Sequence, residues 1–433
     1  MFLTGRLAVL ALLGVGAVIA VEVATGSGWG FLVDVALLAA VVLDVLLAGS
    51  VRSLTFSRIG DTNVRLGEPA SVTLTLTNPS ARVVRGRLRD AWPPSAGEVS
   101  SRHPIEVGPH ERRRVTTALR PTRRGDRRAE RVTVRSTGPL GLAGRQGSHA
   151  VPWTVRVLPP FTSRKHLPSK LAQLRDLDGR TQVMVRGQGT EFDSLREYVP
   201  GDDVRSIDWR ASARVRDVVV RTWRPERDRR VLLVVDTGRS AAGRVGDAPR
   251  LDAALDAALL LAALATRAGD RVDLIAHDRV LRASVQGRAM SELLPSMVQA
   301  MAPLEAQLVE PDWDRLAAEI LRRAPRRSLV VLLSALDPSA VQYGLLPVVS
   351  RLTAKHVVLL ASVADPRLAE MGAARGDVTA VYEAAAAARV ALDRASVAAR
   401  LTRAGVLVVE GVPDDLPPRL ADAYLALKAA GRL

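Results

Sequence analysis

Two apolar stretches at the N-terminus limit what this chain can be more than any other feature. Leu7 to Val23 is a 17-residue run with one charge, Glu22, near its end. Trp29 to Leu47 is a 19-residue run that contains Asp34 and Asp44. At about 1.5 Å per residue, helices of these lengths extend about 26 and about 29 Å, close to the thickness of a hydrocarbon core. Thr25-Gly26-Ser27-Gly28 between them is a short uncharged turn, so residues 1–50 read as a transmembrane hairpin with helices over 7–23 and 29–47. A signal peptide is the alternative for the first run, since Ala17-Val18-Ile19-Ala20 is compatible with cleavage. A second apolar run that follows at once argues against it. Arg6 before the hairpin and Arg52 and Arg58 after it predict that both ends face the cytoplasm. Acidic groups are costly in lipid, and Glu22 and Asp34 fall near the outer ends, where the interface solvates them.

The 433 residues exceed one ordinary core, so further domains follow the hairpin. The absence of cysteine excludes disulfides, thiolate metal sites and thiol nucleophiles. The formal charge of +16 is unevenly placed: Val51 to Pro160 holds 20 Arg, no Lys and 8 acidic residues, a net +12. Basic residues beside a membrane span attract anionic headgroups, which makes membrane lipid the expected partner of this segment. Nucleic acid is not expected, because aromatics are 3% of the chain and do not interleave with the arginines.

Residues 51–160 have period two. Val72, Leu74 and Leu76 alternate with Thr73, Thr75 and Thr77, and Val151, Trp153, Val155 and Val157 repeat the pattern, as do Val132 and Val134. With turn signals at Leu66-Gly67-Glu68-Pro69, Asn78-Pro79 and Gly138-Pro139, this predicts a β-sandwich. After Phe161 the period changes. Val231 to Val235 is an unbroken apolar run ending in Asp236. Val272–Ala276, Leu329–Leu333, Val357–Ser362 and Val406–Val409 follow as further strands. Helical spacing in Leu251–Ala265, with Asp252 and Asp256 on one face, and in Arg315–Arg323, Ala384–Arg403 and Pro418–Ala430 separates them. Such alternation predicts a doubly wound parallel α/β domain over 231–433, with ligands at the carboxyl ends of the strands.

Residues 161–230 lead into that domain and contain Gly187-Gln188-Gly189-Thr190-Glu191-Phe192-Asp193-Ser194-Leu195-Arg196-Glu197-Tyr198-Val199-Pro200-Gly201-Asp202-Asp203-Val204-Arg205-Ser206-Ile207-Asp208-Trp209-Arg210. This stretch closely resembles the signature of the bacterial family catalogued as domain of unknown function 58. Arg123-Arg124-Gly125 and Gly138-Pro139-Leu140-Gly141-Leu142 resemble that family's β region. The resemblance implies a von Willebrand A-like domain, a place in the bacterial inner membrane and a MoxR-type AAA ATPase as partner. It implies no enzymatic activity. Physically, Glu191, Asp193, Arg196, Glu197, Arg205, Asp208 and Arg210 are expected to form a salt-bridge lattice around Tyr198 and Trp209, with Pro200-Gly201-Asp202-Asp203 as a turn. The lattice either holds the entry to the α/β domain or presents a partner surface.

Von Willebrand A domains often carry a metal-ion-dependent adhesion site with the pattern Asp-x-Ser-x-Ser, built of hard oxygen ligands around Mg²⁺. Here the stretch is Asp236-Thr237-Gly238-Arg239-Ser240, without the middle hydroxyl, and Ala335 follows Leu333-Ser334 where an acidic ligand is expected; Asp337 lies two positions on. Asp236 and Ser240 are the candidate ligands of a degenerate Mg²⁺ site, and the alternative is that Asp236 caps a turn or the following helix. Phosphate loops, nucleophile elbows and zinc-helix motifs are absent, and His277-Asp278 reads as structural. The expected function is a membrane-anchored, non-catalytic scaffold that works with the ATPase on protein complexes and has no small-molecule substrate. Arg239 and Asp337 belong to its contact rim, with Arg239 pairing a partner carboxylate. A metal-dependent adhesion domain and a cryptic hydrolase are the alternatives.

Overall fold

A computed structural model of the chain describes residues 1–26, 28–184, 191–215, 217–224, 229–287 and 289–433. It divides into two compact units, Met1–Leu158 and Pro159–Leu433.

The first unit opens with strand β1 (Phe2–Leu3) and the helices α1 (Gly5–Thr25) and α2 (Phe31–Leu47). Over Gly5–Ala24 the mean hydropathy is 2.5 and none of the segment is buried in protein. Among the described residues α1 is the one helix long and apolar enough to cross a membrane. The second helix, at 17 residues, starts later than its apolar run because Trp29 and Gly30 belong to the turn. Glu22 closes that turn by accepting the Gly28 and Gly30 N–H groups at 3.2 and 2.9 Å.

Asp44 is fully buried near the end of α2. One carboxylate oxygen accepts the Leu140 N–H at 2.7 Å, and the other accepts those of Leu142 and Ala143 at 2.7 and 2.8 Å. The Gly138-to-Leu142 loop therefore wraps a carboxylate. A Cβ at Gly138 would lie 2.1 Å from an Asp44 oxygen, so only glycine fits there. Arg145 donates to the Val45 carbonyl at 3.0 Å and Arg82 to that of Leu46, so cations satisfy the open end of α2.

The strands that follow are β2 (Thr55–Gly60), β3 (Asn63–Arg65), β4 (Ala70–Thr77), β5 (Val84–Asp90), β6 (Arg102–Val107), β7 (Arg112–Leu119), β8 (Gly125–Thr137) and β9 (Ala143–Leu158). One sheet runs β1-β9-β8-β5-β6, with β3 parallel on β9; the other runs β2-β4-β7. Leu74 and Leu76 of β4 meet Val84, Leu88, Val132 and Val134 in one core cluster, so the two sheets face each other across their alternating apolar positions. The sandwich also buries an ion pair, Arg58 with Asp90, each side chain 1% exposed. Trp92 Nε1 and Thr117 Oγ1 complete the Asp90 shell at 2.9 and 3.1 Å. This corrects the reading of Arg58 as a residue at the membrane face: it is a core cation, and the charge argument for topology rests on Arg6 and Arg52.

The second unit is built on a six-stranded sheet. Its elements are α3 (Leu167–Met184), β10 (Glu191–Glu197), α4 (Trp209–Val215), β11 (Val219–Arg224), β12 (Arg230–Asp236), the two-residue strands β13 (Arg244–Val245) and β14 (Ala248–Pro249), and α5 (Arg250–Arg267). Then come β15 (Arg271–His277), β16 (Leu281–Val285), α6 (Met290–Met301), α7 (Trp313–Arg323), β17 (Leu329–Leu333) and the single turn α8 (Pro338–Ala340). Last are α9 (Leu346–Thr353), β18 (Val357–Val363), α10 (Pro366–Ala373), α11 (Val378–Arg403), β19 (Val406–Gly411) and α12 (Leu416–Ala429). The sheet order is β16-β15-β12-β17-β18-β19, parallel throughout except for the antiparallel edge β16. Leu232, Val234, Val330, Leu332, Val358 and Leu360 pack under α7, α9 and α11 on one face. On α5 every residue from Ala254 to Thr266 is buried, as a helix that is apolar all round must be. Asp256 is buried with its neighbours, accepting the Thr162 hydroxyl at 2.9 Å and the Ser163 N–H at 3.1 Å.

Asp44→Ala leaves three N–H groups without their acceptor and should cost about 3 kcal/mol. Thermal unfolding of the full chain in detergent should show a lower midpoint, with Asp44→Asn in between. An unchanged midpoint for Asp44→Ala rules out the clamp.

Candidate functional site

In the second unit the chain leaves β12 through α5 to β15 on one side and later reaches β17 on the other. Loops that part in opposite directions at the carboxyl ends of neighbouring strands leave a crevice between them. Asp236, the last residue of β12, lies at that point and is 2% exposed.

Both oxygens of Asp236 are engaged. Oδ1 accepts the Gly238 N–H at 2.7 Å, and Oδ2 accepts the hydroxyls of Ser240 at 2.7 Å and Ser334 at 2.6 Å. The carboxylate thereby ties the loop after β12 to the loop after β17. Desolvation pushes its pKa above the ordinary value of 3.8, against the pull of these donors. Its contribution to stability is therefore full below about pH 3.8 and is lost as pH rises through the raised value.

The missing hydroxyl at position 238 has a steric reason. A Cβ there would lie 2.7 Å from the Pro311 ring and 2.9 Å from the Val309 carbonyl, so a side chain requires the 309–311 segment to move. The same segment holds the loop through Arg239 N–H to Val309 O at 2.8 Å and Gln307 N–H to Thr237 O at 2.7 Å.

The other expected rim residues are occupied locally. Arg239 pairs with Glu310 at 2.7 Å, both more than half exposed. Asp337 caps α8, accepting the Ser339 and Ala340 N–H groups at 3.0 and 3.2 Å and the Ser339 hydroxyl at 2.6 Å. Beside His277, Asp278 is buried and paired with Arg282 at 2.7 Å, and it accepts the Thr237 hydroxyl at 3.1 Å.

The crevice is lined by Asp236, Ser240, Ala241, Arg250, Leu251, Ala254, Leu333, Ser334, Ala335, Ala361 and Val363. Arg250 escaped the sequence reading. It is half-buried at the first position of α5, and its guanidinium makes no hydrogen bond or ion pair among the described residues; its Nε is fully buried. Desolvation and then the charge of Arg394 push its pKa down, opposed by Asp365, Asp337 and Glu410. One signal was legible: a cation in the first turn of a helix opposes the macrodipole, where acidic residues are favoured.

In the signature region β10 and β11 pair antiparallel, and among the described residues the connection between them is held by local caps and ion pairs. Arg196 grips Asp202 through two bonds of 2.7 and 2.5 Å, and Asp202 also accepts the Val199 N–H at 2.9 Å. Asp203 accepts the Arg205 N–H at 3.0 Å. Asp208 caps α4 through the Arg210 and Ala211 N–H groups, both at 3.0 Å, and pairs with Arg221 at 2.7 Å, outside the expected set. Tyr198 is half-buried and Trp209 is 67% exposed, so neither anchors a shared network. Gly187 to Thr190, and the side chains of Glu191 and Asp193, lie outside the described residues. Among the described residues no three His, Asp or Glu side chains gather as a metal cluster.

Two uncharacterized mycobacterial proteins, Rv1480 of Mycobacterium tuberculosis (strain H37Rv) and Mb1516 of Mycobacterium bovis, are each 28% identical to this chain over 204 residues. The match covers 45% of this chain and 61% of each relative, so the chain spans less than two thirds of their length. Among solved structures, the CARDB domain of the PF1109 protein from Pyrococcus furiosus is 17% identical, covering 26% of this chain and 91% of that one, with a TM-score of 0.20. The ASH/PapD-like domain of human CEP192 is 13% identical over 24% of this chain and 84% of that one, with a TM-score of 0.17. At such scores neither likeness carries a fold assignment. Residues 194–405, which hold part of β10, all of β11, the crevice and Arg250, match the family model described as Protein of unknown function DUF58.

Proposed function

We propose that this chain is a membrane-anchored, non-catalytic interaction protein of the bacterial inner membrane that helps assemble or activate protein complexes with a MoxR-type AAA ATPase. Its second unit reads as a doubly wound, von Willebrand A-like domain whose carboxyl edge receives the partner. One observation supports this above the others: the buried carboxylate at the crevice spends both oxygens on its own two loops. A group used in that way holds a docking surface in shape and leaves no free base beside a nucleophile. The family match names no activity, and the ATPase comes from the resemblance of the signature.

A metal-dependent adhesion domain is the second reading, favoured by the convergence of Ser240 and Ser334 on Asp236. The residues do not fit a divalent cation. Mg²⁺ asks for a near-octahedral oxygen shell, and the crevice offers one carboxylate, both of whose oxygens already accept hydrogen bonds, and the two hydroxyls that donate to it. Asp337 is turned to its helix, and Arg250 adds positive charge to the same walls.

Mg²⁺ should accordingly bind no tighter than about millimolar by calorimetry. Micromolar binding that Asp236→Ala abolishes would falsify the metal-free reading. For topology, the cysteine-free chain allows single thiols at Ser27 and at the exposed Ser169. An impermeant maleimide on whole cells should label position 27 and spare position 169 until the membrane is opened; the reverse pattern defeats the orientation. For the partner, the full chain in detergent should recover a MoxR-type ATPase in ATP or ADP, and no recovery in either nucleotide removes that partner.

A further inference from the structure

Among the polar groups of the crevice, Arg250 is the one left without a partner. Arg250 lines a cleft at the strand-order reversal, and its guanidinium makes no hydrogen bond or ion pair among the described residues. Arg394, 11% exposed and paired with Glu410, is near enough for its charge to act on Arg250, and its Nε is also buried without an acceptor. A half-buried cation loses hydration, and a neighbouring cation adds repulsion. Both costs are relieved by an anion that accepts from the guanidinium.

The geometry points to Arg250 as the receptor for a single carboxylate carried on a partner protein, an Asp or Glu side chain seated between the loops after β12 and β17. The inference rests on the reading of this edge as the docking surface and names the chemistry it accepts. A planar guanidinium pairs in a fork with two oxygens of a carboxylate or a phosphate, and two observations choose the carboxylate. Asp337, Asp365 and Glu410 all act on Arg250, and their charges repel a dianion about twice as strongly as a monoanion. Asp365 accepts the Arg367 N–H at 3.0 Å and Asp337 is held by its own cap, so these groups stay to enforce the discrimination.

The test uses the full chain in lipid nanodiscs and a fluorescent, end-capped tetra-aspartate peptide read by anisotropy, with tetra-asparagine as the neutral control. The arginine-rich first unit also attracts acidic peptide, so the diagnostic quantity is the difference between variants at fixed salt. Arg250→Gln and Arg250→Ala should each weaken the peptide at least about tenfold, Arg250→Lys should weaken it less, and Arg389→Ala, at an exposed arginine of α11 outside the crevice, should leave it within about twofold. Inorganic phosphate should compete only weakly. Equal binding by wild type and Arg250→Gln, with an unchanged melting point, overturns the inference, as does phosphate that displaces the peptide at lower concentration than acetate does. The two readings fail separately. A chain that recovers the ATPase while its peptide binding ignores Arg250 refutes only the carboxylate receptor, and Arg250-dependent peptide binding without ATPase recovery refutes only the partner.

Discussion

The second unit depends on one buried strand and the carboxylate that ends it. Strand β12 has a parallel neighbour on each side, so its backbone is bonded on both edges and its side chains are buried on both faces. Nothing in that strand is free to move. At its end the chain must turn, and a charged residue in so dry a place is tolerated only with its oxygens satisfied. Asp236 meets that condition by drawing in donors from two loops whose residues lie about a hundred positions apart, so the shape of the crevice follows from the need to satisfy one carboxylate.

The first unit repeats the device. Asp44 on α2 and Asp90 in the sandwich are both buried acids, the first satisfied by backbone N–H groups and the second by Arg58, Trp92 and Thr117. Removing one partner from such an arrangement costs more than the arrangement contributes, since it leaves a buried group unpaired. These acids therefore work as constraints on which loop goes where, and the apolar alternation supplies the bulk of the burial.

Much of this was legible in the residues. Period two in Val72, Leu74 and Leu76 gave the strand β4, and the unbroken run Val231 to Val235 gave a strand buried on both faces. What could not be read was pairing at long range. Arg58 looks like any arginine after an apolar helix until Asp90, 32 positions on, is folded against it. The same holds for Asp44, whose donors come from a loop nearly a hundred residues away, and for Arg221, which takes the Asp208 partnership expected to lie within the signature. The β16 edge strand was missed because Leu281–Val285 is largely exposed and lacks the apolar run of its neighbours. Arg250 was missed because a first-turn arginine counts against a helix only slightly, while its meaning depends on the crevice it lines.

The fit of Gly238 against Pro311 and Val309 also bears on how such a site can change by mutation. A serine introduced at 238 alone meets a proline ring and a carbonyl before its hydroxyl can serve any ligand. Relaxing position 311 alone opens space that the glycine does not use. The Val309 carbonyl would still lie 2.9 Å from the new Cβ, so an extra oxygen there also requires the 309–311 backbone to shift. A hydroxyl at 238 therefore cannot be added by one substitution without moving the segment packed against it.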